Sequence, residues 1–232
     1  MDDELQKALD AGMARQLAAF RTALSRGMPR AGWKIGLNDP AAQERLGLSA
    51  TIVGWLDGRR LFKPGAAYTP LAGSKPRVEA EVAICMRTDL PPGASLEAAR
   101  ASIASVAPAI EFVDANKSLL PIEEGLANNI LHEGVLFGLE AAVEAAIGLV
   151  ALGYPSVSLN GSAHRSGLPG RYPDDLAEVA LHVANVLGLY GEQLLEGDRI
   201  ICGSYIDPFD VTSGDEVSAD FGPLGTISFR IA

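Results

Sequence analysis

The heptapeptide Val78-Glu79-Ala80-Glu81-Val82-Ala83-Ile84 constrains this chain most, because it reads as a strand of apolar residues that also carries two acids. Successive side chains of a strand point to opposite faces, so Val78, Ala80, Val82 and Ile84 share one face, and Glu79 and Glu81 share the other. At roughly 3.3 Å per residue the two acidic stems stand about 7 Å apart, where like charges repel in any partly dehydrated site. A fold can resolve this by turning the acidic face to water or by gathering it around a cation. The spacing leaves both open.

Charge narrows the choice of partners. Twenty-nine Asp and Glu against nineteen Lys and Arg give a formal net charge of -10, which argues against nucleic acid and anionic membrane, since both need a basic footprint. Small-molecule chemistry is the better expectation. With 232 residues, 48% of them hydrophobic, the chain can bury a large core without disulfides or structural metal. Cys85 and Cys202 lie far apart with no metal-ligand spacing, which fits a reducing compartment. The acidic start Met1-Asp2-Asp3-Glu4-Leu5 is unlike a secretory leader, and no apolar run reaches roughly 18 residues, so a cytoplasmic location is expected.

Along the chain, Leu5, Leu9, Met13, Leu17, Phe20 and Leu24 recur at helical spacing, and Gly27 and Pro29 end that helix. Gly32-Trp33-Lys34-Ile35-Gly36-Leu37 reads as a short strand whose lysine either snorkels at an edge or points into a polar site. Asn38-Asp39-Pro40 starts a short helix that stops at Gly47, and Thr51 to Leu56 follows as a strand or turn. Ser95 caps a helix from Leu96 to Ser105, and Ala109 to Asp114 is a second strand with an acid, Glu111, inside it. Ile122 to Ile130 reads as helix, and Val143 to Leu152 as strand or helix. The Asn160-Gly161 pair marks a hairpin turn. Asp174 or Asp175 opens a long helix through Leu189, and strands and turns fill the rest of the chain. Helices between strands that do not alternate regularly, with a β-rich end, give an α+β class rather than a doubly wound parallel sheet.

Taken in order, these pieces resemble one family. Gly32-Trp33-Lys34-Ile35-Gly36-Leu37, Gln43, Leu46-Gly47, Glu79-Ala80-Glu81, Asp89-Leu90-Pro91, Pro108 to Asp114, Asn160-Gly161, Leu195-Glu196-Gly197-Asp198 and Gly203-Ser204 are similar to the 2-keto-4-pentenoate hydratase and 4-oxalocrotonate decarboxylase group. That group lies in the fumarylacetoacetate hydrolase superfamily. The resemblance spans Gly32 to Ile231. It implies a mixed β-roll or distorted β-sandwich with flanking helices as the catalytic domain over 32–232, which with the N-terminal helical segment over 1–31 is expected to make one compact domain. It also implies Mg²⁺ or Mn²⁺ on Glu79, Glu81 and Glu111, an oxygen-only set that suits a hard six-coordinate ion. Lys34 falls in the active site, where it would hold a substrate carboxylate or move a proton.

The implied substrates are small 2-oxo or 2-hydroxydienoic acids of aromatic-compound catabolism, and the implied assembly is a homo-oligomer. A metal-dependent hydratase adding water is the first reading. The alternatives are a 2-oxo acid decarboxylase or acylpyruvate hydrolase on the same scaffold, and a non-catalytic partner subunit. Where many family members carry Ala-Asp-Asn-Ala-Ser-Ser, this chain has Ala127-Asn128-Asn129-Ile130-Leu131-His132. His132 is therefore a candidate replacement acid or base, with a plain loop histidine as the alternative. Glu133 reads as solvated, Cys202 as a small core residue, and His164 and His182 as structural.

Overall fold

The computed structural model describes residues 3–149, 151–170, 173 and 175–232. Helix α1 (Asp3–Ser25) leads to β1 (Arg30–Gly36), α2 (Pro40–Leu46), β2 (Ile52–Asp57) and two short strands, β3 (Leu61–Phe62) and β4 (Ala67–Tyr68). The two longest strands, β5 (Pro76–Met86) and β6 (Ile103–Asp114), flank α3 (Leu96–Ser102). Next come α4 (Ile122–Ala127), β7 (His132–Phe137), the hairpin β8 (Ser156–Leu159) and β9 (Ser162–Ser166), and α5 (Leu176–Leu189). The chain closes with β10 (Arg199–Ile201), β11 (Phe209–Asp210), β12 (Glu216–Asp220) and β13 (Thr226–Ile231).

These strands form two mixed sheets, as the α+β reading expects. The larger runs β2-β1-β10-β5-β6-β7-β3 with β11 on the end of β5, and the smaller runs β4-β13-β12-β8-β9. The β1–β10 and β3–β7 pairs are parallel in the first sheet, and β13–β4 in the second. Val78, Ala80, Val82 and Ile84, one face of β5, are all fully buried in the main core. Aromatic rings join the sheets: Phe112 of β6 stacks on Tyr68 of β4 with centroids 3.6 Å apart and meets Phe229 of β13 edge-on at 5.2 Å. The opposite face of β5 and β6 is also covered, around Ala83, Ala109, Val135 and Ile201. The acids of β5 are therefore not on a solvated face.

Local signals set most element ends. The Asp39 side chain caps α2, Pro40 opens it, and Gly47 ends it in a left-handed conformation. Ser95 caps α3 through the Ala98 N–H, and Asn160-Gly161, both at positive φ, make the β8–β9 turn. Asp175 caps α5; the other candidate, Asp174, lies outside the described residues.

Three expectations differ. The α3 helix ends at Ser102, and β6 runs unbroken through Pro108, whose carbonyl still accepts the Gly138 N–H at 2.8 Å. The helix from Ile122 stops at Ala127, because Asn129, Ile130 and Leu131 take left-handed φ values of 55°, 49° and 62°. Of the Val143 to Leu152 stretch, the described part holds only a 3-10 turn over Val143–Ala146. No helix among the described residues is long and apolar enough to cross a membrane.

Candidate active site

Glu79 and Glu111 are directly opposed across the β5–β6 ladder, and Glu81, opposite Ala109, sits on the next diagonal of the same face. One carboxylate oxygen from each of the three lies within 4.8 Å of the others. Glu81 and Glu111 are fully buried and Glu79 is half-buried. The pleat that made the sequence unusual thus converges three acids at one point.

Each buried glutamate is anchored by one oxygen. Glu81 Oε2 accepts the Gly203 N–H at 2.7 Å, while Oε1 has no hydrogen-bond partner among the described residues. Glu111 Oε1 takes the Lys34 ammonium and the His132 Nδ1–H, the latter at 2.7 Å, while Oε2 has none among the described residues. A buried carboxylate oxygen without a donor costs free energy, and two beside a third acid cost more. Burial, reinforced by the charges of Glu111 and Glu79, pushes the Glu81 carboxyl well above its usual range. Burial also pushes Glu111 upward, but the Lys34 charge and the His132 hydrogen bond outweigh it and hold that carboxyl below its usual range. These residues fit a divalent cation: the donors are all oxygens, they converge, and two are short of a partner.

The backbone explains why the set meets here. Lys34 of β1 pairs with Ile201 of β10, which pairs with Ala83 of β5, so its side chain rises from the sheet face that carries the acids. Gly54 across the β1–β2 ladder leaves it room, since a Cβ there would stand 3.1 Å from Lys34 Cγ. Gly203, at φ +91°, turns its amide onto Glu81 just after β10 ends. Lys34 also donates to the Ile130 carbonyl at 3.3 Å. Lys34 and Glu79 line a cleft of about 290 Å³, walled by Leu37, Val113, Leu119, Ile130 and Leu131. A larger groove of about 890 Å³ between α3 and the start of α5 holds none of the candidate residues.

Four of the five candidates, Lys34, Glu79, Glu81 and Glu111, therefore form one group. His132 joins it through Glu111; like Glu81 and Glu111 it is not among the described residues lining the cleft, and its other ring nitrogen, Nε2, accepts the Asp57 N–H at 3.2 Å. Glu133 is not solvated: it is buried, accepts the Leu71 N–H at 2.5 Å, and faces Arg60 at 3.4 Å. Cys202 is fully buried, and burial pushes its thiol up, as suits a core residue. His182 holds the Thr51 carbonyl at 2.9 Å, and His164 packs edge-on to Phe209. Sequence reasoning missed Asn129, whose side chain both accepts from and donates to the backbone of Trp55, at 2.9 and 2.8 Å. It also missed the amides of Gly203 and Asp57, because a backbone donor leaves no residue-type signal.

No protein-family model matches the chain. Among known proteins, it is 29% identical over 204 residues to 2-hydroxyhexa-2,4-dienoate hydratase of Comamonas testosteroni, spanning 86% of this chain and 77% of that one. It is 27% identical over 222 residues to 2-oxo-hept-4-ene-1,7-dioate hydratase of Escherichia coli, spanning 90% and 82%. Among solved structures it resembles 4-oxalocrotonate decarboxylase from Pseudomonas putida G7 complexed with calcium and acetate, at a TM-score of 0.81 and 25% identity. The same protein complexed with magnesium and adipate gives 0.82 and 24%. Both alignments cover 98% of this chain and 86% of the other.

Proposed function

We propose, from the premise that the chain belongs to the 2-keto-4-pentenoate hydratase and 4-oxalocrotonate decarboxylase group of the fumarylacetoacetate hydrolase superfamily, that it is a divalent-metal-dependent hydratase of a small 2-hydroxydienoic or 2-oxo-enoic acid in aromatic-compound catabolism. The observation that carries the reading is the convergence of Glu79, Glu81 and Glu111 within 4.8 Å, with Lys34 on Glu111. Glu79, Glu81 and Glu111 would hold Mg²⁺ or Mn²⁺. When bound, such an ion supplies a Lewis acid for the carboxylate and 2-oxo group of the substrate.

The protein's own part is to position and to move protons. A 2-hydroxy-2,4-dienoate loses its hydroxyl proton and gains one at C5, giving a 2-oxo-3-enoate; the hydroxyl of water then adds at C4 and a proton at C3. Lys34 is a cation on the cleft wall, placed to hold developing enolate charge or to carry one of those protons. Leu37, Leu119, Ile130 and Leu131 offer the hydrocarbon tail an apolar wall and limit competing water. The reading includes a cytoplasmic homo-oligomer, checked by light scattering and by cell fractionation. The interface would lie away from the core of α5, whose Leu176, Val179, Ala180, Val183, Ala184 and Leu187 are buried within the chain.

The test is ultraviolet absorbance of 2-hydroxypenta-2,4-dienoate with the protein, first with Mg²⁺ and then with chelator, followed by product identification. Metal-dependent loss of the dienol signal with a 4-hydroxy-2-oxo acid as product is expected. An unchanged spectrum despite Mg²⁺ binding would reject the five-carbon dienoate as substrate and move the test to longer dienoates and acylpyruvates. It would favour the second reading, a decarboxylase, which the 25% identity to a 4-oxalocrotonate decarboxylase over 98% of the chain supports. Release of CO₂ from 4-oxalocrotonate identifies that outcome.

A further inference from the structure

His132 reaches Glu111 because of an irregularity in the β6–β7 ladder. Pairing runs Glu111 with Val135 and Phe112 with Gly134, then skips Glu133 and pairs Val113 with His132. An unbroken antiparallel ladder would pair Val113 with Glu133 and turn His132 to the face opposite Glu111. The extra residue is a β-bulge, a device that re-aims a side chain. Here it brings the imidazole onto the acid-bearing face.

Two contacts then fix the ring. The Asp57 N–H donates to Nε2, so Nε2 keeps its lone pair and the ring proton sits on Nδ1. That proton faces Glu111 Oε1, which also takes Lys34. With Oε1 occupied twice, Oε2 is the oxygen left for the cluster with Glu79 and Glu81. The imidazole side chain is 1% exposed, and neither ring nitrogen is free to face a substrate in the cleft.

We propose that His132 is a positioning residue for Glu111: its Nδ1–H, held by the Asp57 amide and aimed by the bulge, fixes the carboxylate in the orientation that presents Oε2 to a divalent cation, and it exchanges no proton with substrate. The proposal rests on the reading of Glu79, Glu81 and Glu111 as metal ligands. It assigns His132 a role that the replacement acid or base expected from sequence does not have. Hydrogen-bond partners of ligating carboxylates orient them, and their loss typically weakens metal binding 10- to 100-fold.

The experiment compares wild type, His132→Ala and His132→Asn by calorimetric titration with Mg²⁺, by melting without metal, and by kcat on 2-hydroxypenta-2,4-dienoate. Asparagine can place an amide N–H where Nδ1–H stands and cannot act as an acid or base. His132→Ala should bind Mg²⁺ about 10- to 100-fold more weakly. His132→Asn should stay within about threefold of wild type and keep kcat within a hundredfold, below the losses a missing general acid or base brings. Wild-type Mg²⁺ affinity in His132→Ala would overturn the proposal. So would His132→Asn with intact affinity and a kcat loss of a hundredfold or more, which is the signature of an acid or base. His132→Leu, which fills the space without a donor, repeats the affinity test should His132→Ala not fold. A wild-type protein that binds neither Mg²⁺ nor Mn²⁺ is a different failure, and it removes the ligand reading itself.

Discussion

Two buried acidic groups stand on adjacent strands of the larger sheet, and they differ in how their charge is met. At Glu79, Glu81 and Glu111, three carboxylates share one point, and the Lys34 ammonium meets Glu111 there. At Glu133, one carboxylate faces one guanidinium, Arg60, and takes the Leu71 N–H besides. Among the described residues both groups leave a buried oxygen without a hydrogen-bond partner, on Glu81 and Glu111 in the first and on Glu133 in the second. An orphaned oxygen alone therefore does not mark a ligand site. Convergence of three carboxylates on one point is what sets the first group apart, because a shared cation, like protonation of Glu81, relieves their mutual repulsion.

The sharpest way to break this distinction is to delete acids from each group. Glu81→Ala or Glu111→Ala should abolish stabilisation by Mg²⁺, which at a hundred times Kd amounts to about 2.7 kcal/mol. At roughly 2–4 °C per kcal/mol for a chain of this size, the lost rise in Tm is about 5–10 °C. Glu133→Ala should keep that rise. In metal-free Glu81→Ala the Gly203 N–H loses its acceptor while the acid cluster is relieved, so the contrast is read from the Mg²⁺-induced rise and not from the metal-free Tm. An intact Mg²⁺ response in both cluster variants would sink the contrast.

The next effect separates the ammonium from the acids it serves. Lys34→Met should lower kcat on the dienoate by roughly 10²–10⁴-fold, the span of a lost proton-handling group. Its metal-free form should melt lower than wild type, because Glu111 loses its counter-charge. The Mg²⁺-induced rise should then be larger than in wild type. Normal turnover by this variant would remove Lys34 from the chemistry.

At the second group the effect should appear in stability. Breaking a buried ion pair by removing one partner costs about 3–5 kcal/mol. The Arg60 side chain is 20% exposed, so water can restore part of that for Glu133→Ala. Urea melts with and without Mg²⁺ should show a drop of the same size in both. A drop confined to the metal-loaded protein would tie Glu133 to the cluster and erase the difference between the two regions.

The sequence carried the first group more clearly than the second, and the reason is parity. Glu79 and Glu81 sit two apart on a regular strand, so their shared face follows from the pleat; only the family resemblance joined Glu111 to them, and the register that opposes it to Glu79 belongs to the fold. The cap at Ser95, the turn at Asn160-Gly161 and the start at Asp39-Pro40 are likewise local, and each was legible. His132 and Glu133 are adjacent to a bulge, and one inserted residue inverts which of them faces Glu111. No residue type announces that insertion. The start of β6 was not legible either: the strand expected from Ala109 begins at Ile103 and passes through Pro108, a residue that cannot donate to the ladder.

The smallest expected effect lies between the two groups, at the turn that ends α4 early. Asn129, Ile130 and Leu131 are consecutive left-handed residues; asparagine tolerates this, whereas a β-branched isoleucine at φ 49° is strained. Such a conformation persists only if its surroundings hold it, and the Asn129 amide does so by pairing with both the N–H and the C=O of Trp55 on β2. The Ile130 carbonyl is thereby kept on Lys34. Asn129→Ala should cost about 1–3 kcal/mol, the penalty for leaving a buried backbone group unpaired. Its kcat should fall less than that of Lys34→Met, because the ammonium keeps Glu111. Asn129→Asp retains the acceptor for the Trp55 N–H but sets an oxygen against the Trp55 carbonyl, so it should be no more stable than the alanine variant. Loss of Mg²⁺ binding in Asn129→Ala as complete as in Glu81→Ala would show that the strained turn shapes the carboxylate cluster itself, and not only the lysine beside it.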